Sequence, residues 1–279
     1  MSVDEQAWVF ELTVGLPGRR PRTLRVEPGS PGLARLTILG RRPDGETTDL
    51  VVAAVKHQFS LDRDLSEFYR LAEQDPELSW AASGAGRMIR GSTVFEDVVK
   101  TICTTNCSWA ATTRMVTALV QHLGERAHGA PTAGWRGRAF PTPAAMAVAS
   151  DDFYRRVAGA GYRGPYLREV ARRVSEDGLD LEALADGTLA DDEVMAALHA
   201  LPGVGPYAAA HIGLMLGRYS TLILDSWTRP TYARLVGRRS VSDRSIIRRF
   251  KRYGRYAGLA FWLFCTRDWV PEIPPQART

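Results

Sequence analysis

The chain is poor in lysine. Of its 36 basic residues only Lys56, Lys100 and Lys251 are lysines, so arginine carries nearly all the positive charge and no lysine lies between positions 100 and 251. Chemistry that needs a side-chain amine as nucleophile is confined to three positions. Cysteine is also scarce. Cys103, Cys107 and Cys265 cannot make a disulfide framework, and the spacing of the first two has no second cluster to complete a metal site. A reduced, intracellular compartment is expected, cytoplasmic and at the nucleoid in a bacterium. No apolar run approaches the roughly 18 residues of a membrane span. The segment Met1–Phe10 carries Asp4 and Glu5 and lacks the basic-then-apolar order of a signal peptide. There is no internal repeat and no low-complexity tract.

The 279 residues, 45% hydrophobic and 24% charged, suffice for a sizeable core, and the net charge of +5 permits a polyanionic partner without demanding one. Residues 1 to about 55 read as β. Trp8–Val14, Thr23–Val26, Leu33–Leu39 and Leu50–Val55 are short runs of strand formers, divided by Gly15-Leu16-Pro17-Gly18, Pro28-Gly29-Ser30-Pro31-Gly32 and Pro43-Asp44-Gly45. An antiparallel meander is expected.

Helical periodicity follows. Thr93 with Glu96 forms a capping-box pattern ahead of the stripe Phe95, Val98, Val99, Ile102 and Cys103. After a break at Thr104-Thr105-Asn106, a second helix should bury Val116, Leu119, Val120 and Leu123 and stop at Gly124. Residues 125–142 read as a loop. Helices are predicted near 143–158, 165–176, 180–185, 191–199, 206–217, 227–236, 242–252 and 255–266, with a frayed tail over 271–279. The expected fold class is α+β, mainly α: a β-rich domain over 1–90, then a two-lobed helical body over 91–279.

The stretch Leu201-Pro202-Gly203-Val204-Gly205 sits between two predicted helices, in a hairpin spanning about 198–212. Two glycines one residue apart allow a tight turn with positive φ and no Cβ in the way. The backbone N–H groups and the start of the next helix can then face an anion such as a phosphodiester oxygen. Pro206 gives up an N–H that has no helical partner there. The same pattern also serves as a plain helix–helix turn. Asp225 ends the apolar run Leu222-Ile223-Leu224 and is followed by Ser226 and Trp227. It suits an N-cap, and equally a carboxylate placed for catalysis.

This hairpin, the small residues Ala208-Ala209-Ala210, and an aspartate twenty residues after Gly205 resemble the helix-hairpin-helix DNA glycosylase superfamily. Further segments resemble it in order along the chain: Ile102-Cys103-Thr104-Thr105-Asn106, Phe140-Pro141-Thr142-Pro143, Ala160-Gly161-Tyr162-Arg163-Gly164-Pro165-Tyr166-Leu167 and Tyr253-Gly254-Arg255-Tyr256-Ala257-Gly258. The β-rich start is similar to the N-terminal domain of the 8-oxoguanine and alkyladenine branches. The resemblance implies an enzyme of base excision repair that flips a damaged base from double-stranded DNA and hydrolyses its N-glycosidic bond. Asp225 would be the catalytic carboxylate, facing the hairpin.

Members that also cleave the strand carry a lysine two residues after the hairpin's last glycine. This chain has Tyr207 there, so the resemblance implies a monofunctional glycosylase. Tyr207 suits stacking on the base or helix packing, and Trp227 the same pair of roles. The resemblance implies further that Asn106 enters the duplex or meets the orphaned partner base, although an Asn turn reads equally from the residues. Trp109, Trp227 and Tyr207 together would form an aromatic pocket for an alkylated, often cationic, purine. Three departures separate the chain from the 8-oxoguanine branch: Ala111 in place of an arginine, Trp227 in place of a histidine, and no early Gln-x-Phe-Arg-Trp element.

Arg248, Arg249, Lys251, Arg252 and Arg255 form a late basic run. Of these Arg248, Lys251 and Arg252 are candidate phosphate contacts, with a solvated face as the other reading. Without a group of four late cysteines no iron-sulfur cluster is expected, and no other metal or cofactor beyond a monovalent cation on the hairpin backbone. The partner is DNA and not a membrane, and a monomer is expected. The rival readings are a non-catalytic DNA-binding protein and an 8-oxoguanine glycosylase with lyase activity.

Overall fold

The computed structural model describes residues 2–4, 8–30, 32–131 and 133–269; the tail expected to fray lies outside them. The sheet is an antiparallel meander of β1 (Ser2–Asp4), β2 (Val9–Leu16), β3 (Arg19–Pro28) and β4 (Ala34–Ile38) in sequential order. Leu12 pairs with Leu24, which pairs in turn with Ile38. Leu12, Val14 and Leu16 of β2 and Leu24 of β3 are buried, the period-two pattern of a sheet with one covered face.

The fourth expected strand, Leu50–Val55, is instead part of helix α1 (Gly45–Gln58). The reason lies just upstream. Asp44 is a helix cap rather than a turn residue: its Oδ1 accepts the Thr47 N–H at 2.7 Å, and its carboxylate pairs with Arg19 at 2.8 Å. Only Thr47, Val51 and Gln58 of α1 are buried, a narrow stripe that β-branched composition concealed.

Helix α2 (Ser66–Glu73) follows, then α3 (Val94–Thr104), α4 (Trp109–Leu123) and α5 (Pro143–Ala147). Thr93 caps α3 as expected, accepting the Glu96 N–H at 3.1 Å, and the whole stripe from Phe95 to Cys103 is buried. The helix expected over 143–158 is broken. Ser150 takes the Phe153 N–H at 3.1 Å, and 153–157 form one wide turn closed by Ala158 N–H on the Phe153 carbonyl at 2.9 Å. The remaining helices are α6 (Gly164–Ser175), α7 (Asp191–His199), α8 (Pro206–Met215), α9 (Thr228–Leu235), α10 (Asp243–Phe250) and α11 (Ala257–Thr266). No helix among the described residues is long and apolar enough to cross a membrane.

The chain forms two compact units, residues 1–58 with 91–181, and residues 59–90 with 182–278. This grouping differs from a single boundary near residue 90. The segment 59–90 packs with the C-terminal helices because its apolar residues Leu65, Phe68, Ala72 and Leu78 join the core around Tyr232, Phe250, Phe261 and Phe264. Rings of that core touch edge to face, Phe250 with Phe261 at 5.3 Å between centroids. The hairpin and Asp225 both belong to this second unit.

Candidate active site

Between α7 and α8 the chain makes the expected tight turn, but only the first of its two glycines has positive φ. Gly203 has φ +79°, a conformation that a residue with a Cβ rarely adopts, and Val204 N–H closes the turn on the Leu201 carbonyl at 3.2 Å. Leu201 and Val204 are buried and anchor the loop. Gly205 is different. Its φ of −91° suits any residue, and a Cβ built on it would meet nothing within 4 Å. The fold itself therefore places no demand for glycine there; open space lies where a side chain would be. Pro206 opens α8, and no side chain caps that helix start. An exposed, uncapped helix N-terminus is suited to an anion.

Asp225 is held by a reciprocal cap. Its Oδ1 accepts the N–H of Trp227 at 2.8 Å and of Thr228 at 2.6 Å, while its own N–H donates to the Thr228 hydroxyl at 2.9 Å. That hydroxyl, fully buried, donates onward to the Ile223 carbonyl at 2.7 Å. The second carboxylate oxygen takes no hydrogen bond among the described residues. The strand-like approach to Asp225 is clamped by the start of α11. Gly258 N–H donates to the Tyr219 carbonyl at 2.7 Å, and any Cβ on Gly258 would fall 2.1 Å from the Thr221 carbonyl oxygen.

Tyr207 and Trp227, two of the candidate aromatic residues, belong to one chain of rings. Tyr207 meets His211 at 4.7 Å, His211 meets Trp262 at 5.2 Å, and Trp262 meets Trp227 at 5.9 Å. Trp269 closes the group, 5.0 Å from Trp227 and 5.9 Å from Trp262. Burial lowers the His211 imidazole to about 4, against the pull of the Asp225 charge. Burial, with the same charge adding to it, pushes the Cys265 thiol up to about 12. The Asp225 carboxylate is thus electrostatically coupled to both α8 and α11. His211, Trp262 and Trp269 were missed from sequence. The first was within reach, since it follows Tyr207 by one helical turn; the other two depend on α11 folding back, which no local pattern announces.

In the first unit, Asn106 joins α3 to α4 in the left-handed region, φ +46°, a conformation asparagine tolerates. It is exposed, and its Nδ2 donates to the Tyr162 hydroxyl at 3.2 Å. The buried Arg163 braces this turn. Its Nε donates to the Thr105 carbonyl at 3.0 Å, and its guanidinium lies 4.5 Å from the Tyr162 ring. Hydrogen bonds with Thr105 and Asn106 lower the Tyr162 phenol. Tyr162 and Arg163 lay inside a segment noticed in the sequence, but their partnership with Asn106 spans more than fifty residues. Trp109, the first residue of α4, is 78% exposed and makes no ring contact among the described residues.

The basic run is not one free face. The helix ends at Phe250, and 251–256 form a tighter turn with Gly254 at φ 54°. Arg249, Arg252 and Arg255 are ion-paired with Glu77, Asp75 and Glu67. Arg252, a candidate phosphate contact from sequence, is exposed but ion-paired with the buried Asp75, which Tyr253 also bonds. The acids come from segment 59–90, which sequence reading had assigned elsewhere. Arg248 and Lys251 remain exposed.

No family model matches the chain. Among curated proteins, it is 29% identical over 226 residues to a "Probable N-glycosylase/DNA lyase" of Methanothermobacter thermautotrophicus, covering 73% of this chain and 70% of that one. It is 27% identical over 268 residues to the N-glycosylase/DNA lyase OGG1 of Arabidopsis thaliana, covering 91% and 70%. Among solved structures, the 3-methyladenine DNA glycosylase from Archaeoglobus fulgidus superposes with TM-score 0.72 at 21% identity, over 96% of this chain and 89% of that one. The chain has the fold of helix-hairpin-helix DNA glycosylases. The Clostridium acetobutylicum 8-oxoguanine glycosylase/lyase, solved with duplex DNA carrying cytosine opposite 8-oxoguanine, is similar at TM-score 0.70 and 22% identity, over 96% and 87%.

Proposed function

We propose that this protein is a monofunctional DNA glycosylase of base excision repair, which extrudes a damaged purine from duplex DNA and hydrolyses its N-glycosidic bond. The observation that carries the reading is Asp225: a carboxylate with one oxygen locked by two N–H groups and the other without a hydrogen bond among the described residues, beside an aromatic group that begins two residues after the hairpin's last glycine. Breaking the bond builds positive charge on the deoxyribose. The free oxygen of Asp225 stabilises that charge and orients or deprotonates water. The hairpin N–H groups and the start of α8 grip a phosphate. Val204 and Gly203 carbonyls, which accept no backbone hydrogen bond among the described residues, would hold a monovalent cation whose charge adds to that grip. The reaction needs no iron-sulfur cluster.

Tyr207, Trp262 and Trp227 form the base pocket. Faces of aromatic rings with a single anion near them suit an electron-poor or cationic alkylated purine. Asn106, braced by Tyr162 and Arg163, fills the gap left in the duplex, an extrusion that costs a few kcal/mol. Arg248 and Lys251 take the phosphate role first given to Arg252 as well.

A second reading, a glycosylase with lyase activity, is favoured by the names of the curated relatives. Against it stands Tyr207; the one lysine of the second unit is Lys251, exposed beyond the end of α10. The deciding experiment offers the protein duplexes carrying 7-methylguanine, 3-methyladenine, hypoxanthine, uracil or 8-oxoguanine, with and without alkali, and with borohydride. Release of a purine with strand breaks only after alkali, and no trapped adduct, is expected. A borohydride-trapped protein–DNA adduct overturns the monofunctional assignment, and release of no base with DNA binding intact favours a non-catalytic binder.

A further inference from the structure

His211 is the polar group in this region that the reaction as described leaves unused. It lies on α8 one turn beyond Tyr207, its ring edge-on between Tyr207 and Trp262. It is half-buried, yet neither ring nitrogen makes a hydrogen bond among the described residues. Neither nitrogen is among the fully buried side-chain atoms that lack a partner, so the imidazole edge keeps an opening through which a ligand can reach a donor and an acceptor. The other rings of the group are Tyr207, Trp227, Trp262 and Trp269, and His211 is the one among them that offers both a ring donor and a ring acceptor. A π face favours a cationic purine over a neutral one but does not read the base edge; hydrogen-bond capacity tells one edge from another.

We infer that His211 is the specificity-determining residue of the pocket, donating a hydrogen bond from its imidazole to an acceptor on the edge of the extruded purine. The inference rests on the glycosylase reading. Its geometry is favourable in three respects. The imidazole is fixed in orientation by rings on both sides, so little side-chain freedom is lost on binding. It sits on the helix that follows the phosphate-gripping hairpin, so base and backbone are registered by one rigid element. It is also coupled to the charge of Asp225, the carboxylate that must face the sugar of the same nucleotide. The imidazole stays neutral at neutral pH, so it offers one donor and one acceptor without repelling a cationic base.

The test compares His211→Phe, which keeps an aromatic ring between Tyr207 and Trp262, with His211→Gln, which keeps a donor and an acceptor. Single-turnover excision is measured on duplexes carrying 7-methylguanine, hypoxanthine or 8-oxoguanine, and affinity on a duplex with a tetrahydrofuran abasic site. His211→Phe is expected to slow release of the purine that the wild type removes fastest by about 10- to 100-fold. It should also bring the rates of the three purines closer together and leave abasic-site affinity within about twofold. His211→Gln should recover part of both rate and selectivity. A His211→Phe protein with unchanged rate and selectivity overturns the assignment, as does one that loses abasic-site affinity in proportion, or a His211→Gln protein no better than His211→Phe. A wild type that releases none of the three purines overturns this assignment, and one that releases no base from the wider panel overturns the glycosylase reading with it.

Discussion

Asp225 and Thr228 cap each other. The carboxylate takes the Thr228 N–H at 2.6 Å, and the Thr228 hydroxyl takes the Asp225 N–H at 2.9 Å. One residue therefore starts α9 and keeps a carboxylate oxygen without a hydrogen bond among the described residues, so the cap leaves room for the catalytic role we propose. Asn keeps the acceptor that caps a helix, at similar strength, but loses the charge. Asp225→Asn is expected to fold with little change in thermal midpoint and to bind duplex DNA normally. Its single-turnover excision should fall by about 10²–10⁴-fold or more. Excision at the wild-type rate would remove Asp225 from the mechanism.

At Gly205, fold and ligand make separable demands. Because its φ is ordinary and nothing lies near the missing Cβ, Gly205→Ala should shift the thermal midpoint by no more than about 3 °C, the scale of a weak cap change. The added methyl stands where a phosphate oxygen would approach, so affinity for duplex DNA should drop by about tenfold or more. Unchanged affinity, by a fluorescence-polarisation titration, would show that the hairpin does not grip the backbone.

Arg248 and Arg252 should behave differently despite their proximity in sequence. Arg248→Ala and Lys251→Ala are each expected to weaken DNA binding and to reduce the slope of log affinity against log salt by about one. Arg252→Ala removes a partner of the buried Asp75 carboxylate, so it should lower thermal stability and leave the salt slope unchanged. An equal loss of slope in all three would mean that Arg252 leaves Asp75 for a phosphate in the complex.

His211 makes stability depend on pH in a defined window. Its folded imidazole is lowered to about 4 from an ordinary value near 6.5. Above pH ~6.5 both folded and unfolded forms are neutral, and the full stability is present. As pH falls from there towards 4, the unfolded chain gains a proton the folded one refuses, so stability is lost progressively, by about 2–3 kcal/mol in all. Urea unfolding of the wild type against His211→Phe should show the wild type losing that much stability relative to the variant over that range. A constant difference from pH 7 to 4 would place the imidazole in a more hydrated setting.

Where the information was local, the sequence alone determined the structure. The Thr93–Glu96 cap, the stripe through Cys103, the hairpin glycines, Pro206 at a helix start and Asp225 at another each depend on neighbours within about one turn, and backbone sterics and capping act at that range. The ordered motifs carried the fold class as well. What tertiary structure decided depends on encounters between distant segments. Leu50–Val55 lies in a helix whose start is capped by Asp44, itself ion-paired with Arg19 of β3. Segment 59–90 joined the C-terminal core because Phe68 and Leu78 found buried surface there, and its acids then neutralised arginines that looked free. Asn106 gained Tyr162, and the α8 pair Tyr207 and His211 gained Trp262 from α11. A pocket's chemistry is set by which side chains meet across such distances, and only burial in the folded chain brings them together.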